Sequence, residues 1–444
     1  MGNVAMTLRF PAKPFLGLTL GQFEESGEEY IFDGNESLMT IARPGAGKTQ
    51  AHVLRNLVYL QGPAIVLDVK PEIEEAVSAW RLHFGPAAVF APGRGESGSI
   101  RFNPLDAIPN DPVQAYPAIG RLVPLLMVPT DAKSAKSFWE GRAAQLLTAA
   151  LYDVCLFPDA QPSKRRDMTA VVDWFSATPA QIKATFQRLQ ASGIRSLVRA
   201  GNQIEAADPE TQANLFETVL RHIDIWGAPQ LEEVVSSPSL RLETLRRERV
   251  NLYLCVTPEE LVLYRPLIRA MLGQLLYALR DQREEWNLPT VTFFLDEFPQ
   301  LGYFPEVEQM LALGRQMGLR LWLFAQTRGQ LEQVYGSADR LLEMLAIVAY
   351  MQPTASVAEE ISRRLGPGRD LLTGLERPLV SPQELMGPAF ADKVIVFEAG
   401  RAPAKLRRIM AFQDEYAVKA MRTYTDDEGI VWDGHDDDWK PPNS

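Results

Sequence analysis

Residues 42–50 read ARPGAGKTQ, a glycine-bearing turn that ends in a lysine followed by a hydroxyl residue. In a phosphate-binding loop the glycines let backbone N–H groups face phosphate oxygens, the lysine reaches the β- and γ-phosphates, and the hydroxyl ligates Mg²⁺. Gly45, Gly47, Lys48 and Thr49 suit those roles, and Arg43, Pro44, Ala46 and Gln50 complete the stretch that would wrap the phosphate chain of ATP. Ala42 stands where the strict pattern begins with glycine. The chain leaves an apolar run there, so only a small side chain is required.

Hydrolysis asks for more than a loop, and TVTFFLDE (290–297) ends an apolar run in two acids. Asp296 would hold the Mg²⁺ shell through water, and Glu297 would orient and deprotonate the attacking water. An apolar run ending in Asp-Glu says little alone; paired with the loop it points to hydrolysis rather than binding only. The next apolar run, LRLWLFAQ (319–326), ends in Gln326, which could sense a γ-phosphate or be an ordinary polar strand end; spacing supplies no distance. Arg315, Arg320 and Arg328 are candidates for stabilising transition-state charge, including from a neighbouring subunit. A solvated surface position is the alternative for each.

These residues need strands to hold them. Short apolar, β-branched runs recur at SLMTIA (37–42), AIVLDV (64–69), AAVFAP (87–92), VNLYLCV (250–256), TVTFFLDE, LRLWLFAQ, AIVAYM (346–351) and KVIVFEA (393–399). Such runs alternating with helical patterns predict an α/β fold with a mostly parallel sheet covered on both faces. The alternation stops between about 113 and 235, where SFWEGRAAQLLTAALYDVCL, TPAQIKATFQRLQAS and DPETQANLFETVLRHIDIW read as amphipathic helices. Thr178 and Asp208, each followed by proline, are expected N-caps. An inserted all-α domain explains why Lys48 and Asp296 stand 248 positions apart. The expected division is 1–112 with 236–425 as one domain, 113–235 as the helical one, and 426–444 as an acidic, unstructured tail.

Composition bounds the rest. A chain of 444 residues with 46% hydrophobic and 23% charged residues can bury a full core. Cys155 and Cys255 sit in apolar surroundings and read as buried free thiols, which suits a cytoplasmic location. No stretch reaches the roughly 18 uncharged apolar residues of a membrane span, so attachment to a membrane would be peripheral and through a partner. A net charge of −11 argues against a surface that binds nucleic acid all over, without excluding a basic channel inside an assembly.

Taken together, the chain resembles the type IV secretion coupling proteins, the TraG/TraD group of conjugative DNA-transfer ATPases. The matching stretches run from LGLTLGQ through ARPGAGKTQ, GPAIVLDVKPE, FAPGRGESGSIRFNPLDAI and SFWEGRAAQLLTAALY to KVIVFEAGRAPAKLRRIMAFQDEYA. The most specific is LDEFPQLG followed by GRQMGLRLWLFAQTRGQLEQVYG. The resemblance implies a RecA-like P-loop motor with an inserted all-α domain, forming a hexameric ring at the cytoplasmic mouth of a secretion channel. It carries Lys48 and Thr49 onto the phosphate-loop pair, Asp296 and Glu297 onto the acidic pair, Gln326 onto the strand-end glutamine, and Arg315 onto an arginine proposed to reach a neighbour's nucleotide. Two departures stand out: the chain lacks the family's initial transmembrane helices, and Asp68-Val69-Lys70-Pro71-Glu72 replaces the usual Asp-Pro-Lys-Gly-Glu.

The expected function is therefore an ATPase moving DNA or a relaxase–DNA complex toward the channel. SKRRDM (163–168) and LRLETLRRERV (240–250) are candidates to line its pore, or else form solvated charged faces. An adaptor that docks secreted proteins, using the acidic tail with Trp432 and Trp439, is one alternative. An FtsK/HerA-like DNA translocase is the other.

Overall fold

All eight apolar runs are strands of one eleven-stranded sheet. The computed structural model describes residues 17–95, 98–128, 138–280, 288–369, 376–426 and 429–432. In chain order its strands are β1 (Leu18–Gln22), β2 (Glu29–Phe32), β3 (Leu38–Ala42), β4 (Ala64–Asp68), β5 (Ala87–Phe90), β6 (Asn251–Cys255), β7 (Val291–Leu295), β8 (Leu319–Ala325) and β9 (Ile347–Met351). A small hairpin, β10 (Pro367–Arg369) and β11 (Glu376–Pro378), precedes β12 (Lys393–Glu398) and β13 (Ala404–Arg407). Across the sheet the order is β2-β1-β13-β12-β9-β3-β8-β7-β4-β6-β5.

From β9 to β5 every pairing is parallel. Residues of β3 point alternately to two buried layers, with Met39 and Ile41 in one core and Leu38 and Ala42 in the other. Burial on both faces is why these runs are apolar throughout. The other end of the sheet, β12, β13, β1 and β2, is antiparallel, which the KVIVFEA run did not announce.

One face carries α1 (Arg55–Tyr59) and α2 (Glu72–Arg81), whose Leu57 and Trp80 pack under the sheet. The opposite layer holds α3 (Pro112–Leu126), α4 (Phe138–Leu156), α5 (Met168–Phe175), α6 (Pro179–Ala191), α7 (Arg195–Glu205) and α8 (Pro209–Ile223). Their starts follow the caps: Asp208 accepts from Thr211 N–H at 2.9 Å, and Thr178 bonds Gln181 Oε1 through both its N–H and its hydroxyl. Next come α9 (Pro258–Leu263) and α10 (Arg265–Arg280), and α10 packs on α3. The hydrophobic core of this insert is continuous with that of the sheet, running from Ile41 and Leu67 to Trp174 and Trp226.

The remaining helices are α11 (Pro305–Met317), α12 (Arg328–Tyr335), α13 (Ala338–Leu342), α14 (Ala355–Leu365), α15 (Pro382–Met386) and α16 (Glu415–Met421). Past α16 the structure corrects one expectation. Thr423–Asp426 (β14) pairs antiparallel with Gly429–Trp432 (β15), because Ile430, Val431 and Trp432 are strand formers inside an otherwise acidic stretch. The rest of the expected tail, including Trp439, lies outside the described residues. Both cysteines are buried free thiols, and among the described residues no helix is long and apolar enough to cross a membrane.

Candidate active site

The loop leaves β3 at Ala42, which is buried, so a small residue is what the position needs. Gly45 and Gly47 both have left-handed φ, 76° and 77°, which explains glycine at these two places. Thr49–Leu54 then winds as one π-helical turn into α1, a conformation frequent at functional sites.

Strand order decides what meets the loop. β8 lies between β3 and β7, so the ends of three adjacent parallel strands present Lys48, Gln326 and the Asp296–Glu297 pair together. The Lys48 ammonium forms ion pairs with Asp296 Oδ1, at 3.0 Å, and with Glu297 Oε1. Gln326 Nε2 donates to the other Glu297 oxygen at 3.0 Å. Burial pushes the Lys48 amine down, but the two carboxylates outweigh it and hold its pKa above the ordinary value. Burial also raises the Asp296 carboxyl, opposed by Lys48 and reinforced by Glu297. Glu297 itself sits in the left-handed region at φ 48°, a strained placement for a non-glycine residue and one that clusters at active sites.

Groups outside the expected set hold this arrangement. Arg269 on α10 is fully buried and donates to the carbonyls of Leu301 and Tyr303, at 3.0 and 2.8 Å, in the turn that follows Glu297. Asp68, at the end of β4, accepts from the N–H groups of Ile73 and Glu74 at the start of α2. Burial nonetheless pushes its carboxyl up to about 6. Arg408 and Met410, some 360 residues downstream, lie against the loop at Ala46 and Gly47. No local motif marks Arg269 or Arg408, because an arginine's role depends on what lies opposite it.

The arginine candidates divide. Arg315 is exposed on α11 and pairs with Glu36 at 2.7 Å, before the start of β3. Strand rise puts it roughly 20 Å from the loop of its own chain. Arg320 is buried at the start of β8, donating to Gly34 O and Thr292 Oγ1, so it is neither at the site nor solvated. Arg328 pairs with Glu332, Asp339 and Glu360, tying α12 to α13 and α14. The expected pore-lining clusters are engaged as well. Arg165 binds Asp167 and Glu232, Arg166 the carbonyls of Cys155 and Ile108, and Arg246 those of Leu288, Pro289 and Met317.

With the geometry in place, similarity to known proteins narrows its meaning. The family described as type IV secretory system conjugative DNA transfer matches residues 13–368. The chain belongs to this family. Among relatives, the conjugal transfer protein TraG of Agrobacterium fabrum is 23% identical over 405 residues, which cover 86% of this chain and 61% of that protein. The chain thus spans about three fifths of the length of the curated relatives it matches. Of solved structures, the conjugative coupling protein TrwBdeltaN70 superposes with a TM-score of 0.65 at 17% identity, covering 88% of each chain. The plasmid coupling protein TrwB in complex with ADP and Mg²⁺ gives 0.64 at 18% identity, covering 88% of this chain and 89% of that one. These likenesses establish the fold: an α/β architecture with a large, mostly parallel sheet and a helical insert.

Proposed function

We propose that this chain is the ATP-hydrolysing part of a coupling protein that drives DNA, or a relaxase–DNA complex, into a type IV secretion channel. The observation that carries the reading is the convergence of Lys48, Asp296, Glu297 and Gln326 at three adjacent strand ends. The crystallisation of TrwB with ADP and Mg²⁺ supports the same ligands here.

The donor set fits that metal. Thr49 offers a hydroxyl, and Asp296 Oδ1 is a buried carboxylate oxygen with an ion-pair contact to Lys48 and no well-formed hydrogen bond among the described residues. Hard oxygen ligands of this kind suit Mg²⁺. Held by Thr49 and Asp296, Mg²⁺ would supply positive charge that offsets the negative charge of the phosphates. Lys48 would hold the phosphate oxygens from the loop side, with the backbone of residues 43–48 around them. Glu297, turned by Gln326 on one oxygen, would take the proton from the attacking water.

Residues 1–112 and 236–425 would form the motor, and 113–235 the cargo-facing helical domain. Arg315, exposed and far from the loop of its own chain, suits a role at a neighbour's nucleotide in a homo-hexameric ring. The ring would work in the cytoplasm beside the membrane, held there by channel components.

Measuring ATPase rate and oligomeric mass with and without single- and double-stranded DNA tests this. DNA should raise the rate and favour the ring; Lys48→Ala should abolish ATP binding, and Glu297→Gln should bind ATP without turning it over. No response to either form of DNA overturns the motor reading, and normal turnover by Glu297→Gln overturns the assignment of the base.

A further inference from the structure

We infer that Arg408 is a positioning residue of the phosphate loop, holding the Ala46 carbonyl so that the Gly47 N–H is turned toward the phosphates of a bound nucleotide. The inference rests on the reading of the loop as an ATP site and adds to it a part that comes from the antiparallel end of the sheet.

Arg408 follows β13 and is fixed at both ends. Its backbone N–H donates to Asp392 O at 2.8 Å, Nη2 donates to Ala391 O at 3.0 Å, and Nη1 donates to Ala46 O. A trans peptide is planar, so the carbonyl of Ala46 and the N–H of Gly47 point in opposite directions. With the carbonyl committed to Arg408, the N–H faces away from it, and the reading of the loop as an ATP site makes that the phosphate side. A cationic donor on the carbonyl also polarises the peptide and strengthens that N–H as a donor.

Two further contacts belong to the same strap. A Cβ at Gly47 would fall 2.3 Å from Met410 Cε and 2.8 Å from its sulfur, so the end of Met410 packs directly on the glycine that the positive φ requires. Beyond the loop, Arg55 Nε donates to Asp414 Oδ2 at 2.8 Å and the Tyr59 hydroxyl donates to Asp414 Oδ1 at 2.9 Å. Residues 408–414 therefore hold both the loop and the helix that follows it. Arg408 Nε is buried without a hydrogen-bond partner among the described residues and lies 3.9 Å from the position of that Gly47 Cβ. The guanidinium thus faces the loop as a cation, as a site for polyphosphate requires.

The test is calorimetric titration of the full chain with ADP and, separately, with pyrophosphate, for wild type, Arg408→Gln and Arg408→Met. The methionine variant keeps an unbranched stem without a donor and serves if the glutamine variant fails to fold. If the Gly47 N–H loses its orientation, its hydrogen bond to a charged phosphate oxygen is lost, which predicts affinity about 10- to 100-fold weaker. The loss should be the same for ADP and pyrophosphate, because the loop holds phosphates and not the base. Melting temperature without nucleotide should fall modestly, because the bonds to Ala391 O and Ala46 O are present in the unliganded chain; the readout that a purely structural arginine would not move is the affinity of the variants measured well below their melting temperatures. Wild-type affinity in the folded variants, or a loss seen with ADP and not with pyrophosphate, overturns the inference alone. Failure of the wild-type chain to bind either ligand overturns the ATP site itself.

Discussion

Gln326→Ala removes one defined contact, the 3.0 Å hydrogen bond to Glu297 Oε2, and leaves Lys48 on the other oxygen of the same carboxylate. A hydrogen bond to a charged group is worth about 1.5–3 kcal/mol. If it acts only on the orientation of the base, kcat should fall roughly 10- to 150-fold at about 1.4 kcal/mol per decade. The retained Lys48 contact still restrains the carboxylate, which favours the lower end of that range. KM for ATP should not move, since the phosphates are assigned to Lys48 and the loop backbone. Phosphate release at saturating Mg²⁺ and ATP would be measured for Gln326→Ala, Glu297→Gln and the double variant. Residues acting as a unit are non-additive, so the double variant should be no slower than Glu297→Gln alone. Losses that multiply in the double variant would mean that Gln326 acts independently, for instance on the γ-phosphate itself. A kcat within about twofold of wild type for Gln326→Ala would remove it from the mechanism.

The buried carboxyl of Asp68 links stability to pH. Its folded pKa of about 6 lies above the 3.8 of the free group, so it costs nothing below pH 3.8 and exacts its full cost above pH 6. That cost is about 3 kcal/mol at 1.4 kcal/mol per unit. Asp68→Asn keeps an acceptor for the two α2 N–H groups, and urea denaturation should find it more stable than wild type at pH 8 by up to that amount, with little difference at pH 4. A less stable Asn variant at pH 8 would refute the assignment. Arg315→Ala subunits mixed with Lys48→Ala subunits should regain ATPase activity, because an intact loop can then meet an intact arginine across an interface. If the mixture stays as inactive as its components, Arg315 does not act in trans.

What could be read from the chain follows from how local each feature is. The eight apolar runs were legible because a strand covered on both faces is apolar along its length, as in Leu319–Ala325, buried at every residue. β1, β2 and β13 were not, since Leu-Thr-Leu-Gly-Gln, Glu-Tyr-Ile-Phe and Ala-Lys-Leu-Arg carry short, mixed patterns suited to an antiparallel end. Lys48, Asp296 and Glu297, which the structure brings together, could be singled out because a turn and a strand end define their surroundings within a few residues. The arginines were not. Arg320 and Arg246 are internal ties to backbone carbonyls, and Arg328 is a junction for three carboxylates, yet all three look like surface charge in the sequence.

By itself, then, the sequence determined the α/β class, the phosphate loop, the acidic strand end and the long helical stretch between them. Each of these is written in contiguous residues whose side chains answer to their immediate neighbours. Only the tertiary structure decided that β8 lies between β3 and β7, bringing Gln326 onto Glu297, and that Arg408 reaches the loop from some 360 residues away. It also decided that the helical stretch shares its core with the sheet. Strand order, and the partner of a long charged side chain, are set by packing between segments distant in the chain, which a single sequence does not contain in local form.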